Sequence, residues 1–309
     1  MPLVDELSNT LSVPTDAIED ILSKAPNSYK RYSIKKKSGG LRTIFQPSSQ
    51  LKSIQYAFVT LYLNRFKIHP CAKAYRKGLQ SPLLINAEAH KNFKFSIRVD
   101  LQDFFPSIKP TDLFIVFTKN KCNFSIEEEN IITKVFFPNS YISAGLAIGS
   151  PASPIISNIV MYELDGLINS MAKKIDSSSV YTRYADDIIF SSNRKNACED
   201  FYKQLDDLLK SVSSPSLIIN PKKTIYMSKA NRRMVTGLII TPDQKISLGR
   251  SRKRYIKSLV FRYSKGNLDQ NEINRLKGYL AFSLDCEPTF FNTLVIKYGS
   301  IVNTILRTA

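Results

Sequence analysis

The sequence has no tryptophan, only two histidines and four cysteines in 309 residues, and no acidic residue between Asp20 and Glu88. Cys71, Cys122, Cys198 and Cys286 are widely separated and form no Cys-x-x-Cys pair. That spacing argues against a disulfide framework and a cysteine-built zinc site, and it fits the reducing interior of a cell, so a cytoplasmic location is expected. His69 lies near Cys71, but two ligands do not make a metal site. Asp5 and Glu6 interrupt the N-terminus, so no secretory signal is expected. One uncharged stretch, 135–162, is long enough to cross a bilayer, yet it carries Pro138, Pro151, Pro154, Asn139, Asn158 and five serines. Such content does not suit a helix facing lipid, and no membrane partner is expected.

The missing acids leave the charge segregated. The net charge is +18, and thirteen Lys and Arg fall between Asp20 and Glu88. Thirteen more lie in 222–265 against a single acid, Asp243. A chain needing charge only for solubility would mix the signs. Two basic zones flanking an acid-bearing middle fit a polyanionic partner, whose phosphate backbone is bound with release of counterions. An apolar fraction of 43%, with 18 Phe and 15 Tyr, supplies core for one large body or a few connected subdomains.

Residues 1–27 carry amphipathic helical spacing, with Ile18, Ile21 and Leu22 after Asp16. Two extended segments around Ser38-Gly39-Gly40 predict a β-hairpin ended by Pro47. A helix is predicted over 50–66, with Leu51, Ile54, Phe58, Leu61 and Tyr62 on one face. The run Phe95–Leu101 alternates as a strand, and Thr111 is the expected cap of the helix after it. Ser153-Pro154 opens a further helix. The β-rich runs 180–184 and 188–191 flank Ala185-Asp186-Asp187 as a tight hairpin. A helix over 198–211, strands near 234–240 and 245–248, and a basic helical tail complete an α+β body with no repeat and no flexible linker.

Aspartate in a turn commonly serves the backbone alone, accepting from local N–H groups. Here apolar strand residues run up to Asp186-Asp187 from both sides, presenting the pair from a packed sheet. Adjacent carboxylates repel, and a hard cation relieves the repulsion. Asp100 ends another strand. If the strands pair, three carboxylates converge on a site suited to two Mg²⁺ ions and to phosphoryl transfer.

Tyr184-Ala185-Asp186-Asp187 resembles the Tyr-x-Asp-Asp signature of reverse transcriptases. Val99-Asp100-Leu101-Gln102-Asp103-Phe104-Phe105-Pro106-Ser107-Ile108 is similar to that family's first catalytic motif. Gly149-Ser150-Pro151-Ala152-Ser153-Pro154, running into Asn158, resembles the segment supporting nucleotide and template. Asn220-Pro221-Lys222-Lys223-Thr224 resembles the lysine motif beyond the catalytic hairpin, and Leu41-Arg42-Thr43-Ile44 the fingers strand. Within the family, Asn86-Ala87-Glu88-Ala89-His90 and Val235-Thr236-Gly237-Leu238 resemble elements of bacterial retron reverse transcriptases. One departure is Ile148, where the family usually has Gln shaping the nucleotide pocket.

The resemblance implies a right-hand polymerase: an N-terminal extension and fingers over 1–95, a palm over 96–249 with part of 110–145 belonging to the fingers, and a basic helical thumb over 250–309. It implies that Asp100, Asp186 and Asp187 are catalytic and hold Mg²⁺, with Asp187 assisting. Arg42, one of Lys35, Lys36 and Lys37 (Lys37 foremost), Gly149, Pro151 and Lys222 would contact the deoxynucleoside triphosphate, and Phe105 would exclude a 2′-OH. Lys222 or Lys223 would either protonate the leaving pyrophosphate or bind backbone phosphate. Arg232, Arg233, Arg250, Arg252, Lys253, Arg254 and Lys257 would contact nucleic acid. The implied partners are a structured noncoding RNA, its single-stranded DNA product and an effector protein of an anti-phage system. Two alternatives stay open: an RNA-binding scaffold that neutralises the effector, and a group II intron-type reverse transcriptase.

Overall fold

A computed structural model describes residues 2–36, 39–138 and 145–307, so Lys37 lies outside the described residues. Helices α1 (Pro2–Leu11) and α2 (Thr15–Ser23) bury Leu3, Val4, Leu7, Ile18 and Leu22 from their apolar faces. Strands β1 (Tyr29–Lys35) and β2 (Leu41–Pro47) pair antiparallel, Tyr29 opposite Pro47 and Lys35 opposite Leu41. Ser48 caps α3 (Ser49–Phe58) by accepting the Leu51 N–H. The helix predicted over 50–66 then changes pitch in a π-helical turn, Val59–Leu63. Helix α4 (Pro82–His90) follows.

The central part runs β3 (Phe95–Leu101), α5 (Phe104–Ser107), α6 (Pro110–Lys119), α7 (Ile126–Phe136), α8 (Ser153–Val160), α9 (Tyr162–Ile175), β4 (Val180–Tyr184), β5 (Asp187–Ser192), α10 (Ala197–Ser211) and β6 (Ile219–Ser228). Thr111 does not cap α6; the Asp112 carboxylate accepts the Lys109 N–H instead. Ser153 opens α8 with Pro154 in its first turn, but its hydroxyl donates back to the Ala147 carbonyl. Four strands form an antiparallel sheet in the order β4-β5-β3-β6. Period-two alternation gives this sheet two faces. Ile97, Val99, Leu101, Tyr181, Ile188 and Phe190 join the main core with α9 and α10, where Phe190 stacks on Phe201 at 4.3 Å.

The opposite face carries Ser96, Thr182, Ile189 and Ser191 and packs against α4. His90 closes it: its ring nitrogens lie 2.8 Å from the hydroxyls of Ser191 and Thr182, and Ser191 donates to Ser96 at 2.8 Å. Burial pushes the His90 imidazole down to about 3, so it stays neutral, one nitrogen donating and one accepting. His90 is thus a buried, hydrogen-bonded structural residue.

The chain ends in a small sheet, β7 (Arg233–Val235), β8 (Leu238–Ile240) and β9 (Ile246–Ser247), and helices α11 (Arg250–Ser264), α12 (Gln270–Cys286), α13 (Pro288–Tyr298) and α14 (Ser300–Arg307). Val235, Leu238, Ile240 and Leu248 share one core with Ile256, Leu276, Leu280 and Leu294. The small sheet also packs against α4 and β6, so it lies between the central sheet and the C-terminal helices. Ala87 and Ile189 join this second core and couple it to the central sheet. Helix α7 packs on α2 and α3, and α6 on α8. Among the described residues, no helix is long and apolar enough to cross a membrane.

Candidate active site

The candidate catalytic edge is set by strand register. Asp100 stands opposite Asp187, and the Leu101 N–H donates to the Asp186 carbonyl at 2.9 Å. Tyr184 pairs with Asp187, leaving only Ala185 and Asp186 in the turn, with Ala185 at φ +57°. The backbone thus brings all three aspartates to one end of β3 and β5. Burial, then the charge of Asp186, pushes the Asp187 carboxyl up to about 6, with Arg98 on the same sheet face opposing the shift. Asp186 is raised by burial and by Asp100.

Asp100 has a different neighbour. Both its oxygens accept from Lys223 Nζ, at 2.9 and 3.0 Å, and Asn220 Nδ2 donates to it at 3.2 Å. Sequence local to β6 explains the lysine's approach. Arg98 pairs with Ile225 but Asp100 with Asn220, so 221–224 arch out of the ladder. Pro221 lies in that arch and has no N–H to give the ladder. Lys222, chosen from sequence for the triphosphate, is solvent-exposed, and Lys223 reaches the carboxylate instead.

With Lys223 on Asp100, no three His, Cys, Asp or Glu side chains among the described residues are already gathered as a metal-ligand set. The donors nonetheless fit Mg²⁺ in kind: they are carboxylate oxygens, and two of the carboxyls are raised by burial and then by a neighbouring carboxylate. No described residue makes a salt bridge to Asp186 or Asp187. A cation bound at this edge competes with Lys223 for Asp100.

Phe105 sits in α5, which begins after Asp103 at φ +44°. Its ring contacts Phe104 at 5.4 Å and Tyr75 at 6.4 Å between centroids. The Leu146 N–H donates to the carbonyls of both Phe105 and Ile108 at 3.1 Å. Gly145 lies so close that a Cβ would meet the Pro106 carbonyl at 2.1 Å; only glycine fits this crossing. Gly149, at φ +116°, passes under the fingers hairpin, where its Cβ would meet the Phe45 carbonyl at 2.9 Å. The Phe45 N–H donates to the Ile148 carbonyl at 2.8 Å, so Ile148 contributes a backbone group here whatever its side chain. Pro151 is half-buried beside Ser150, whose hydroxyl donates to Gln55. Arg42 is exposed on β2, within electrostatic reach of Asp186.

A buried network behind the catalytic turn escaped the sequence reading. Arg183 and Asp165 are both fully buried. Arg183 donates to Asp165 at 2.8 and 2.7 Å, to Asn158 Oδ1 at 3.2 Å and to the Ala185 carbonyl at 3.3 Å. Tyr181 adds a third bond to Asp165 at 2.6 Å. The signal was an arginine inside an otherwise apolar strand, two residues before the turn.

The basic residues divide. Arg233 is 1% exposed, and its guanidinium donates to the carbonyls of Phe93 and Thr241. It holds β7 in place and has no surface to offer nucleic acid, contrary to expectation. Arg252 donates to the Gly237 carbonyl at 3.1 Å and lies over Phe282, and Lys253 pairs with Glu287. Arg232, Arg250, Arg254 and Lys257 are exposed.

A profile of the reverse transcriptase (RNA-dependent DNA polymerase) family matches residues 34–292. The retron Ec83 reverse transcriptase of Escherichia coli is 36% identical over 299 residues, covering 95% of this chain and 95% of that protein. The retron Ec73 reverse transcriptase of Escherichia coli is also 36% identical over 299 residues, covering 94% of each. Apo telomerase from Candida tropicalis has a TM-score of 0.49 and 13% identity, over 90% of this chain and 60% of that longer one. Matched along nearly its whole length by the two retron proteins, the chain belongs to the reverse transcriptase family, as an RNA-directed DNA polymerase of the retron kind.

Proposed function

We propose that this polymerase copies part of a structured noncoding RNA into single-stranded DNA, priming from a guanosine 2′-OH of that RNA and leaving a branched, multicopy RNA–DNA molecule. The observation that supports a working polymerase edge is the register that sets Asp100 opposite Asp187, with Asp186 tied to Leu101. Asp100 and Asp186, assisted by Asp187, would hold two Mg²⁺ ions, which supply charge neutralisation and a more acidic attacking hydroxyl when bound. Arg42 would orient the triphosphate from the fingers, and Lys223, which donates to Asp100, would protonate the leaving pyrophosphate. Exposed Arg232, Arg250, Arg254 and Lys257 carry the RNA and the growing duplex. In this reading the RNA–DNA product keeps a separate effector protein of an anti-phage system in check.

The test is direct. Purified protein, RNA transcribed from the DNA beside its gene, deoxynucleotides and Mg²⁺ should yield DNA that stays joined to RNA after ribonuclease treatment. A debranching enzyme should then shift its mobility. A product extended from the RNA 3′ end, insensitive to debranching, would overturn the branched-priming assignment.

Phe105 is assigned to sugar selection. Phe105→Ala is expected to lower the preference for deoxynucleotides over ribonucleotides by roughly 10–200-fold, the range for one pocket contact. Matched single-nucleotide incorporation assays measure it, and unchanged preference removes Phe105 from this role.

A further inference from the structure

The loop before α4 brings a second aromatic ring beside Phe105. Tyr75 is 47% exposed, large for an aromatic side chain that also touches another ring. Its ring lies 6.4 Å from that of Phe105, tilted by 58°. The same phenol is within electrostatic reach of Asp186, Tyr184 and Arg42. Tyr75 therefore faces the gate ring, the catalytic turn and the fingers arginine at once.

Its backbone is held in an unfavourable conformation. Tyr75 has φ +57°, the left-handed region that residues with a Cβ avoid. Such a conformation persists only where neighbours over-determine it. Here the segment that runs into Tyr75 is held at several points. The Ala74 carbonyl accepts from Asn158 Nδ2 at 2.9 Å, and both residues are buried. Asn158 is in turn bonded by Arg183, which also donates to the Ala185 carbonyl. Earlier in the same segment, the Lys73 N–H donates to the Arg183 carbonyl at 2.8 Å and the Arg183 N–H to the Cys71 carbonyl at 2.9 Å. The loop is therefore tied to the strand and the arginine that also hold the turn of Ala185 and Asp186.

We propose that Tyr75 is a specificity-determining residue that contacts the sugar of the incoming deoxynucleoside triphosphate, forming with Phe105 a continuous two-ring wall. Two edge-tilted rings in contact stiffen one another. A lone Phe105 could rotate away from a 2′-OH; a Phe105 backed by Tyr75 cannot without displacing it. The wall also offers an apolar surface on which a deoxyribose packs, and that contact contributes to ground-state affinity. The inference rests on the assignment of Phe105 as the sugar gate, and the experiment separates the two.

Single-nucleotide incorporation of matched deoxy- and ribonucleotides is measured for the wild type, Tyr75→Ala, Tyr75→Phe and Phe105→Ala. Tyr75→Ala is expected to raise the deoxynucleotide KM about tenfold and to cut sugar preference about tenfold or more, with kcat nearly unchanged. Tyr75→Phe keeps the ring and should match the wild type. If Phe105→Ala relaxes sugar choice while Tyr75→Ala keeps wild-type KM and preference, Tyr75 has no such role and the gate stands. If Tyr75→Ala relaxes it and Phe105→Ala does not, the Phe105 assignment falls and the two-ring wall falls with it. A fall in kcat alone, or a Tyr75→Phe variant as defective as Tyr75→Ala, would overturn the two-ring wall.

Discussion

Replacing Asp186 and Asp187 together by asparagine should cut primer extension on the order of 10³-fold or more, because two ligands for the developing charge are lost at once. The same change should make the metal-free protein more stable. The folded Asp187 carboxyl holds its proton to about 6, whereas the ordinary value is 3.8. Between those pH values the folded chain binds more protons than the unfolded chain, so this residue's contribution to stability falls as pH rises through that window. At neutral pH the ionised pair costs stability, and a neutral amide removes the cost. For Asp187 the gain is about 2 kcal/mol, discounted for partial solvent access. Asp100→Asn should abolish extension without that gain, because Asp100 is already matched by Lys223. Melting in chelator at pH 7, beside extension assays in Mg²⁺, checks both halves. Wild-type extension by the double variant would remove these carboxylates from catalysis, and an unchanged melting temperature would refute the account of their repulsion.

What the sequence made legible follows from how local each signal is. The catalytic hairpin is a short-range pattern: β-rich residues on both sides of Ala185-Asp186, with alternation that fixes which side chains share a face. The meeting of Asp100 with that hairpin follows once its strand is recognised, because an antiparallel partner places strand ends side by side. Lys222 and Lys223 could not be told apart, since the choice depends on an arch that Pro221 introduces into the ladder with β3. Arg233 looked like its exposed neighbour Arg232, because a basic run reads the same whether a guanidinium meets water or a buried carbonyl. The packing of the small sheet β7–β9 is not legible in sequence, because its partners are chosen by which apolar faces remain uncovered after folding. Tyr75 and Arg183 were missed for the same reason. Their roles lie in contacts with residues far away in sequence, at Phe105, Asn158 and Asp165.

Arg183→Met should be the most destabilising single change near the site. It leaves Asp165 fully buried with only the Tyr181 hydroxyl to oppose its charge. Breaking one side of a buried pair costs about 3–5 kcal/mol, because the remaining charge is neither solvated nor matched. Urea unfolding should show that loss. The double change Arg183→Met with Asp165→Leu should recover much of it, since an apolar pair of similar size carries no buried charge. Activity should not recover with stability. The Ala185 carbonyl and Asn158 both lose their donor, so the catalytic turn and the Tyr75 loop are no longer tied to one group. A misplacement of about 1 Å at reacting groups can cost on the order of 10²-fold, and kcat of the well-folded double variant should fall by that order. Near wild-type kcat in the double variant would make the network purely structural. A stable double variant with depressed kcat would show that this arginine, buried behind the turn, sets the position of Asp186 from below.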